Sequence, residues 1–404
     1  MNEFISIFIP ALVALLCTTW IYPLIHKVAQ TKNIVDNPNA RKLQRVPVPV
    51  LGGLTVVFGI MAGIMCFKTI STFYDMFPVF AAIIIIMIVG FIDDTISLSP
   101  KVRFVVEIIL ILYIIFVSGK QINDFHGLWG LYSIPQYISI PLTLFACVGI
   151  INAINLIDGV DGYSSGYSIV SCILFGIIFF VMDNIRMAAL SAIVAASLIP
   201  FFCHNVFGKH SKMFIGDAGT LALGIIFSVF VMNILSNYPH DTFVGTNFGL
   251  VAFTLAIMCV PIFDTLRVMT MRIIRKKSPF SADKTHLHHL FIELGFSHFG
   301  TTISIISINL LIILCWFITY KLGMSVDIQL YVVIVLGVFI TFVFYPVTQS
   351  HIRRNTSYYQ FLCKIGHKTQ ITNHKRWKKI QRLIDITTCK EIKEIYNTSE
   401  EHPQ

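Results

Sequence analysis

Five aspartates stand where an apolar chain has least reason to keep them. Asp93 and Asp94 close one hydrophobic run, Asp158 and Asp161 follow another, and Asp217 opens a third. In the stretch Asn152-Ala-Ile-Asn-Leu-Ile-Asp-Gly-Val-Asp-Gly162, amides (Asn152, Asn155) and carboxylates (Asp158, Asp161) recur every third residue, and a glycine follows each aspartate. Oxygen donors so placed emerge with no bulky neighbour behind them. Polar groups at a membrane boundary are costly unless they bind something; the plainer alternative is a helix stop with solvated Asp-Gly turns. Oxygen ligands without cysteine suit Mg²⁺, with Mn²⁺ as the alternative, and Mg²⁺ typically combines one or two carboxylates with substrate phosphates.

Phosphate also suits the rest of the polar inventory. Every charge from Arg267 to Lys277 is positive, and the same loop continues through Asp283 to His286-Leu-His288-His289. A His-x-His-His cluster can hold zinc, but no cysteine ligands lie nearby and there is no His-Glu-x-x-His helix to supply a hydrolase base. Hydrogen-bond donation to phosphate is the better reading in so basic a setting. Arg41 and Lys42 either face phosphate or simply mark the cytoplasmic side. Arg103, Lys212 and Asp283 join the substrate-binding candidates. Asp217 is open to two roles, N-cap or metal ligand. Aspartates, basic side chains and histidines at a membrane surface suggest phosphoryl transfer between a soluble nucleotide and a lipid.

The elements that must position these groups are membrane helices. The 404 residues are 55% hydrophobic and only 13% charged, with a mean hydropathy of +0.76, too apolar for a soluble domain. Eleven runs are expected to span a bilayer: 4–26, 47–67, 77–92, 104–118, 137–152, 163–182, 187–203, 216–236, 247–266, 300–320 and 328–346. The fold class is therefore all-α and polytopic. The first run has neither a basic lead nor a small-residue cleavage site and reads as a retained span. With the N-terminus outside and the C-terminus cytoplasmic, 26 of the 30 Lys and Arg residues fall inside, leaving Lys68, Lys120, Arg186 and Lys321. That topology also brings the clusters around Asp36, Asp93, Asp158, Asp217 and His286 to the cytoplasmic face of an inner membrane. It places Asp93, Asp94, Asp158 and Asp161 at helix C-termini, where the dipole opposes a negative charge, so a metal ion or basic side chains must compensate.

Smaller features follow. Gly52-Gly53 predicts close backbone packing, and the aromatic segment 124–132 an interfacial belt on the outer side. The nine cysteines read as small buried hydrophobes. Residues 1–349 form the transmembrane domain and 350–404 a basic tail. In that tail Lys375-Arg-Trp-Lys-Lys379, followed by Leu383 and Ile384, either lies as a helix on anionic lipid or merely solubilises. The charge of +9 faces lipid and nucleotide phosphates, with no nucleic-acid partner expected. A homodimer is compatible with the sequence. The rival function, a cation-coupled transporter, needs carboxylates near the bilayer midplane on broken helices.

Taken in order, Asp-x-Pro-x-x-Arg-Lys from Asp36, Gly52-Gly53, Asp93-Asp-x-x-x-Leu-x-Pro100, the Asn152–Gly162 repeat, Phe214-x-Gly-Asp-x-Gly219 and Pro279-Phe-x-x-Asp-x-x-His-x-His-His289 resemble the polyprenyl-phosphate N-acetylhexosamine-1-phosphate transferases. The resemblance runs from about residue 30 to 300. It is closer to the branch that makes undecaprenyl-diphosphate-GlcNAc than to the phospho-MurNAc-pentapeptide translocase, whose UDP-MurNAc-pentapeptide is the alternative donor. It implies UDP-HexNAc and undecaprenyl phosphate as substrates. It further implies Asp217 as principal Mg²⁺ ligand, with Asp93 and Asp94 organising metal and lipid phosphate and Asp93 the candidate base. Asn155, Asp158 and Asp161 would hold the nucleotide, Phe214 would stack on uracil, and His286, His288 and His289 would bind the diphosphate or steady the leaving UMP. A phosphate monoester with a second pKa of about 6 is already mostly a dianion near neutrality, so Asp93 is expected to position more than to deprotonate. Gln44, Glu107, Tyr163 and Thr220 depart from the common pattern.

Overall fold

Each expected span contains helix in the computed structural model, which describes residues 2–36, 47–67, 70–236, 247–278, 285–371 and 374–388. Arg41, Lys42 and Asp283 lie outside the described residues. The helices in order are α1 (Asn2–Thr31), α2 (Gly52–Met65), α3 (Ile70–Ile96), α4 (Pro100–Ser118), α5 (Gln136–Leu156), α6 (Tyr163–Val181), α7 (Ile185–Phe207), α8 (Gly216–Ile234), α9 (Leu250–Ile257), α10 (Cys259–Ile274), α11 (Leu287–Glu293), α12 (His298–Lys321), α13 (Val326–Val338), α14 (Tyr345–Arg353), α15 (Ser357–Lys368) and α16 (Lys375–Thr388). A two-residue antiparallel pair, Val35–Asp36 with Val48–Pro49, joins α1 to α2.

Of the eleven expected spans, length and composition support eight or nine. Eight helices among the described residues are long and apolar enough to cross a membrane, or nine if the bent pair α9–α10 counts as one. Helix α2 has 14 residues, about 21 Å at 1.5 Å per residue, against a hydrocarbon core of about 30 Å. Helix α4 carries Lys101, Arg103 and Glu107. α9 and α10 meet at 72°.

Helix α8 is the axis of the bundle. All its residues from Ala218 to Ile234 are buried, chiefly against α3 and α5, with α2, α6 and α9 completing the enclosure. The Gly52-Gly53 pair lets α2 come this close. A Cβ on Gly53 would lie 2.2 Å from the Gly219 nitrogen, and the Gly52 and Gly53 amides donate to the Phe214 and Ile215 carbonyls at 2.9 and 2.8 Å. The outer helices behave oppositely. On α1, Phe4, Phe8, Leu12, Leu16, Trp20, Leu24 and Val28 are all exposed, an unbroken apolar stripe at i, i+4 spacing of the kind that faces lipid.

The bend at Met258 frees backbone groups that a membrane cannot satisfy. Asn309 of α12 supplies both halves: its Oδ1 accepts from Val260 N–H at 3.1 Å and its Nδ2 donates to the Ile257 carbonyl at 3.0 Å. The Tyr167 hydroxyl donates to the same carbonyl. Protein side chains thus meet the backbone groups at the break. Asn309→Leu is expected to destabilise the fold by about 1–3 kcal/mol, the cost of orphaned buried groups, read as a lower unfolding midpoint in detergent; an unchanged midpoint would refute this account of the bend.

The segment expected as an interfacial belt has a second task. Asn123 and Asp124 amides donate to the Leu235 carbonyl at 3.0 and 3.1 Å, and His126 meets the Ile234 carbonyl at 3.1 Å, so this segment closes the C-terminal end of α8.

Candidate active site

The C-terminal ends of α3, α5 and α7 and the N-terminal ends of α4, α6 and α8 meet at one end of the bundle. Asp94 joins two of them. Its carboxylate accepts from the Asp217 amide at 2.8 Å and the Ala218 amide at 3.1 Å, capping α8. The unfavourable dipole at the end of its own helix is answered by the favourable dipole of another. Gly90, one turn earlier, permits the approach, because a Cβ there would lie 2.5 Å from the Ala218 Cα.

Asp93 faces the other way. Its Oδ1 takes the Leu98 amide at 2.6 Å, and its Oδ2 takes Arg103 Nη1 at 3.3 Å. Ser97 ends the helix in a left-handed conformation, φ 58°, and Pro100 with the Ser99 N-cap starts α4 at once, so Arg103 returns within reach of the carboxylate ten positions earlier. Arg103 Nη1 is also 3.9 Å from Asp217 Oδ1, and its Nε is 3.7 Å from Glu107 Oε1. One guanidinium therefore stands among Asp93, Glu107 and Asp217.

Asn155 reaches across from α5. Its Nδ2 donates to Asp217 Oδ1 at 2.5 Å and to Thr220 Oγ1 at 2.9 Å. Asn155, placed by resemblance at the nucleotide, orients the Asp217 carboxylate. Asn152 donates to Glu107 Oε2 at 2.8 Å and likewise meets a carboxylate. Asp217 itself keeps 31% of its side chain accessible.

The Asp-Gly turns hold two contrasting carboxylates. Burial, with the charges of Asp217 and Asp161 adding to it and a hydrogen bond from Ser164 opposing it, pushes Asp158 up to about 7. Burial alone would raise Asp161 too, but hydrogen bonding from His298 and the charge of Lys212 outweigh it and hold that carboxyl below the usual range. Lys212 Nζ and His298 Nδ1 lie 2.6 and 2.8 Å from Asp161 Oδ2. Because Asp158 is raised, its ionised form opposes folding. The penalty grows as pH rises from the unfolded carboxyl range and is complete above about 7. Asp158→Asn is accordingly expected to raise the unfolding midpoint of ligand-free protein near pH 8 and to raise it far less at pH ~4, at the onset of the penalty; equal shifts at both pH values would refute the assignment.

The histidines form a packed row. His286 Nδ1 meets Asp264 Oδ2 at 3.0 Å, and Arg267 Nη2 donates to Asp264 Oδ1 at 2.6 Å. His288 is buried against Gly159, where a Cβ would lie 2.3 Å from its Nε2, and beside Tyr163. Burial, reinforced by the neighbouring His289 and His286, holds His288 well below its ordinary value, so it is neutral. His289, half-buried, completes the row 4.3 Å from the His288 ring. Phe214 is half-buried beside Lys212, whose Nζ lies 5.5 Å from the ring centroid.

Among the described residues, no three His, Cys, Asp or Glu side chains are arranged to hold a metal ion unaided. Mg²⁺ does not need such a cage when water and substrate phosphate complete its shell. The oxygen donors of Asp217 and Asp93, beside a single guanidinium, suit that role. Asp94 spends one lone pair of each oxygen on the Asp217 and Ala218 amides, so it caps α8 whether or not its remaining lone pairs also meet a metal ion.

Several site residues escaped sequence reasoning. Glu107 carried a signal, since it stands one helical turn after Arg103 in an apolar helix and is fully buried. Asp264 and Arg267, at i, i+3 spacing in another apolar stretch, carried the same one. His298 and Asn205 carried none. Asn205 bridges the two site loops, accepting from the Gly162 amide and donating to the Met213 carbonyl.

Fold and site together define a multi-pass helical membrane protein whose helix ends build one carboxylate-rich polar cluster. The chain belongs to glycosyl transferase family 4: the family model of that description matches residues 76–235, and family relatives align well beyond it. A probable undecaprenyl-phosphate N-acetylglucosaminyl 1-phosphate transferase of Bacillus subtilis is 31% identical over 305 residues, covering 74% of this chain and 80% of the relative. Undecaprenyl-phosphate alpha-N-acetylglucosaminyl 1-phosphate transferases are 30% identical over 307 residues in Salmonella typhi, covering 74% and 77%, and 28% identical over 277 residues in Yersinia pestis, covering 67% and 73%.

Proposed function

We propose that this protein transfers GlcNAc-1-phosphate from UDP-GlcNAc to undecaprenyl phosphate, giving undecaprenyl-diphospho-GlcNAc and UMP. The observation that carries the proposal is the contact of Asp93, Asp217, Asn155 and Arg103 at the converging ends of apolar helices, where a lipid phosphate and a soluble nucleotide can both arrive. An oxygen of the lipid phosphate attacks the sugar-bearing phosphorus of the donor. The new P–O bond forms as the bond to the bridging oxygen breaks, and UMP leaves with that oxygen. Arg103 and Lys212 supply positive charge, Asn155 fixes the orientation of Asp217, and Asp158 and Asp161 face the nucleotide side together with Phe214. Mg²⁺, bound by Asp217 and Asp93 with substrate phosphates, would neutralise the charge that builds on the transferring group.

In this reading the eleven-span topology stands, with α2, α4 and the bent pair α9–α10 added to the eight longer spans. The N-terminus lies outside and the site faces the cytoplasm, as the distribution of Lys and Arg requires. The test is purified protein with undecaprenyl phosphate, Mg²⁺ and a panel of UDP-sugars, followed by UMP release. UMP from UDP-GlcNAc that disappears on chelation is expected; no UMP from any sugar overturns the proposal.

A further inference from the structure

The C-terminal tail was open to two readings from sequence, a helix on lipid or a solubilising appendage, and it does something else. Trp377 of α16 is buried, 4.9 Å from the Phe207 ring and 5.6 Å from the Phe299 ring, so the tryptophan expected at the membrane is seated on protein. One face of the helix still presents exposed Lys375, Arg376, Lys378 and Lys379 to the surroundings.

Two turns on, Asp385 is completely buried. Its carboxylate accepts from three consecutive amides of the α7–α8 connection, Lys209 at 3.1 Å, His210 at 3.2 Å and Ser211 at 3.0 Å, and from the Ser211 hydroxyl at 2.8 Å. A buried carboxylate spending its lone pairs on successive N–H groups fixes the backbone that carries them. The next residue in that connection is Lys212, which holds Asp161.

The other partner of Asp161 is held by the tail as well. Thr369, just after α15, accepts from the Ser297 amide at 3.0 Å through its hydroxyl, and its carbonyl accepts from the Ser297 hydroxyl at 2.8 Å. Ser297 is the N-cap of α12, and His298 follows it. Gln370 adds a bond to the Gly295 carbonyl. A cavity of about 290 Å³ opens between these contacts, with Asp161 and His298 on one wall and Gln370, Ile371 and Trp377 on the other.

We propose that the tail is part of the donor-binding machinery, with Asp385 and Thr369 as positioning residues that set Lys212 and His298 on Asp161 from two sides. The proposal rests on the reading of Asp161 as a nucleotide-side group. It assigns the segment after α14 a role in turnover that neither membrane attachment nor solubility would give it.

Full-length Asp385→Asn keeps the size of the side chain but gives up one acceptor oxygen to a donor. Its KM for UDP-GlcNAc is expected to rise about tenfold, equivalent to one lost charge-assisted hydrogen bond, with kcat changed less than about threefold. In a Lys212→Met background the same substitution should add less than about twofold, because the group it positions is gone. A general loosening of the fold would multiply in both backgrounds, and that result overturns the proposal, as does an unchanged KM in an active variant. Thr369→Val leaves the buried amide cluster intact and should raise the same KM through His298; if Asp385→Asn does not fold, this variant decides. A wild type that releases no UMP overturns the proposed reaction, and this inference with it, whereas an active wild type with unaltered variants overturns only the role of the tail.

Discussion

Asp217→Asn is expected to lower kcat by about 10³-fold, the order lost when a group stabilising transition-state charge is removed, with little change in the folded state. Thr220 remains to receive the Asn155 amide, and the Asp94 cap binds the backbone of residue 217, not its side chain. What disappears is negative charge at a carboxylate that keeps 31% of its side chain accessible. The activity that remains should need more Mg²⁺ for half-saturation than the wild type does. Measuring UMP release across a Mg²⁺ titration separates the two effects, and near wild-type turnover at low Mg²⁺ would remove Asp217 from the metal site.

Asp93→Asn is expected to lower kcat by about 10²-fold, the scale of a single misplaced catalytic group. The loss should persist when the pH is raised to about 9, because the lipid phosphate, with a second pKa of about 6, is already a dianion. The structure gives this expectation its reason. Both oxygens of Asp93 are engaged, one by the Leu98 amide and one by Arg103, and a carboxylate paired with a guanidinium is a weak proton acceptor. Its service is to hold Arg103 between Asp217 and Glu107. Asparagine can still accept from Leu98 but cannot pair with the guanidinium, so Arg103 swings out of place. Full recovery of rate at high pH would instead make Asp93 the general base.

What could be read from the sequence, and what could not, divides by the range of the interaction. Hydropathy located every long helix, because each run must bury or face lipid along its own length. The dipole argument demanded compensation at Asp93, Asp94, Asp158 and Asp161; for Asp93, Asp94 and Asp161 the structure supplies it through Arg103, the start of α8, Lys212 and His298, whereas Asp158 has the Ser164 hydroxyl and a raised pKa instead. It could not say which. Arg103 lies only ten positions from Asp93 and was a candidate, while His298 is 137 positions from Asp161 and Asp385 is 174 positions from Ser211, separations over which no periodicity speaks. The spans that length and composition alone do not support are those where a helix is short, charged or bent, since a run of apolar residues fixes neither helix length nor direction. Asp94 looked identical to Asp93 in sequence. Adjacent residues on a helix point about 100° apart, and that rotation alone sends one carboxylate to α8 and leaves the other in the site.

The complete burial of α8 has a consequence for how this protein meets its surroundings. The helix that presents Asp217 touches no acyl chain; α1 and its neighbours take the lipid contact. Bilayers of different thickness or composition will tilt or stretch the outer helices, but the catalytic axis, fastened at one end by Asp94 and at the other by residues 123–126, is insulated from them. Turnover at saturating lipid substrate should therefore vary little across membranes whose thickness varies a good deal.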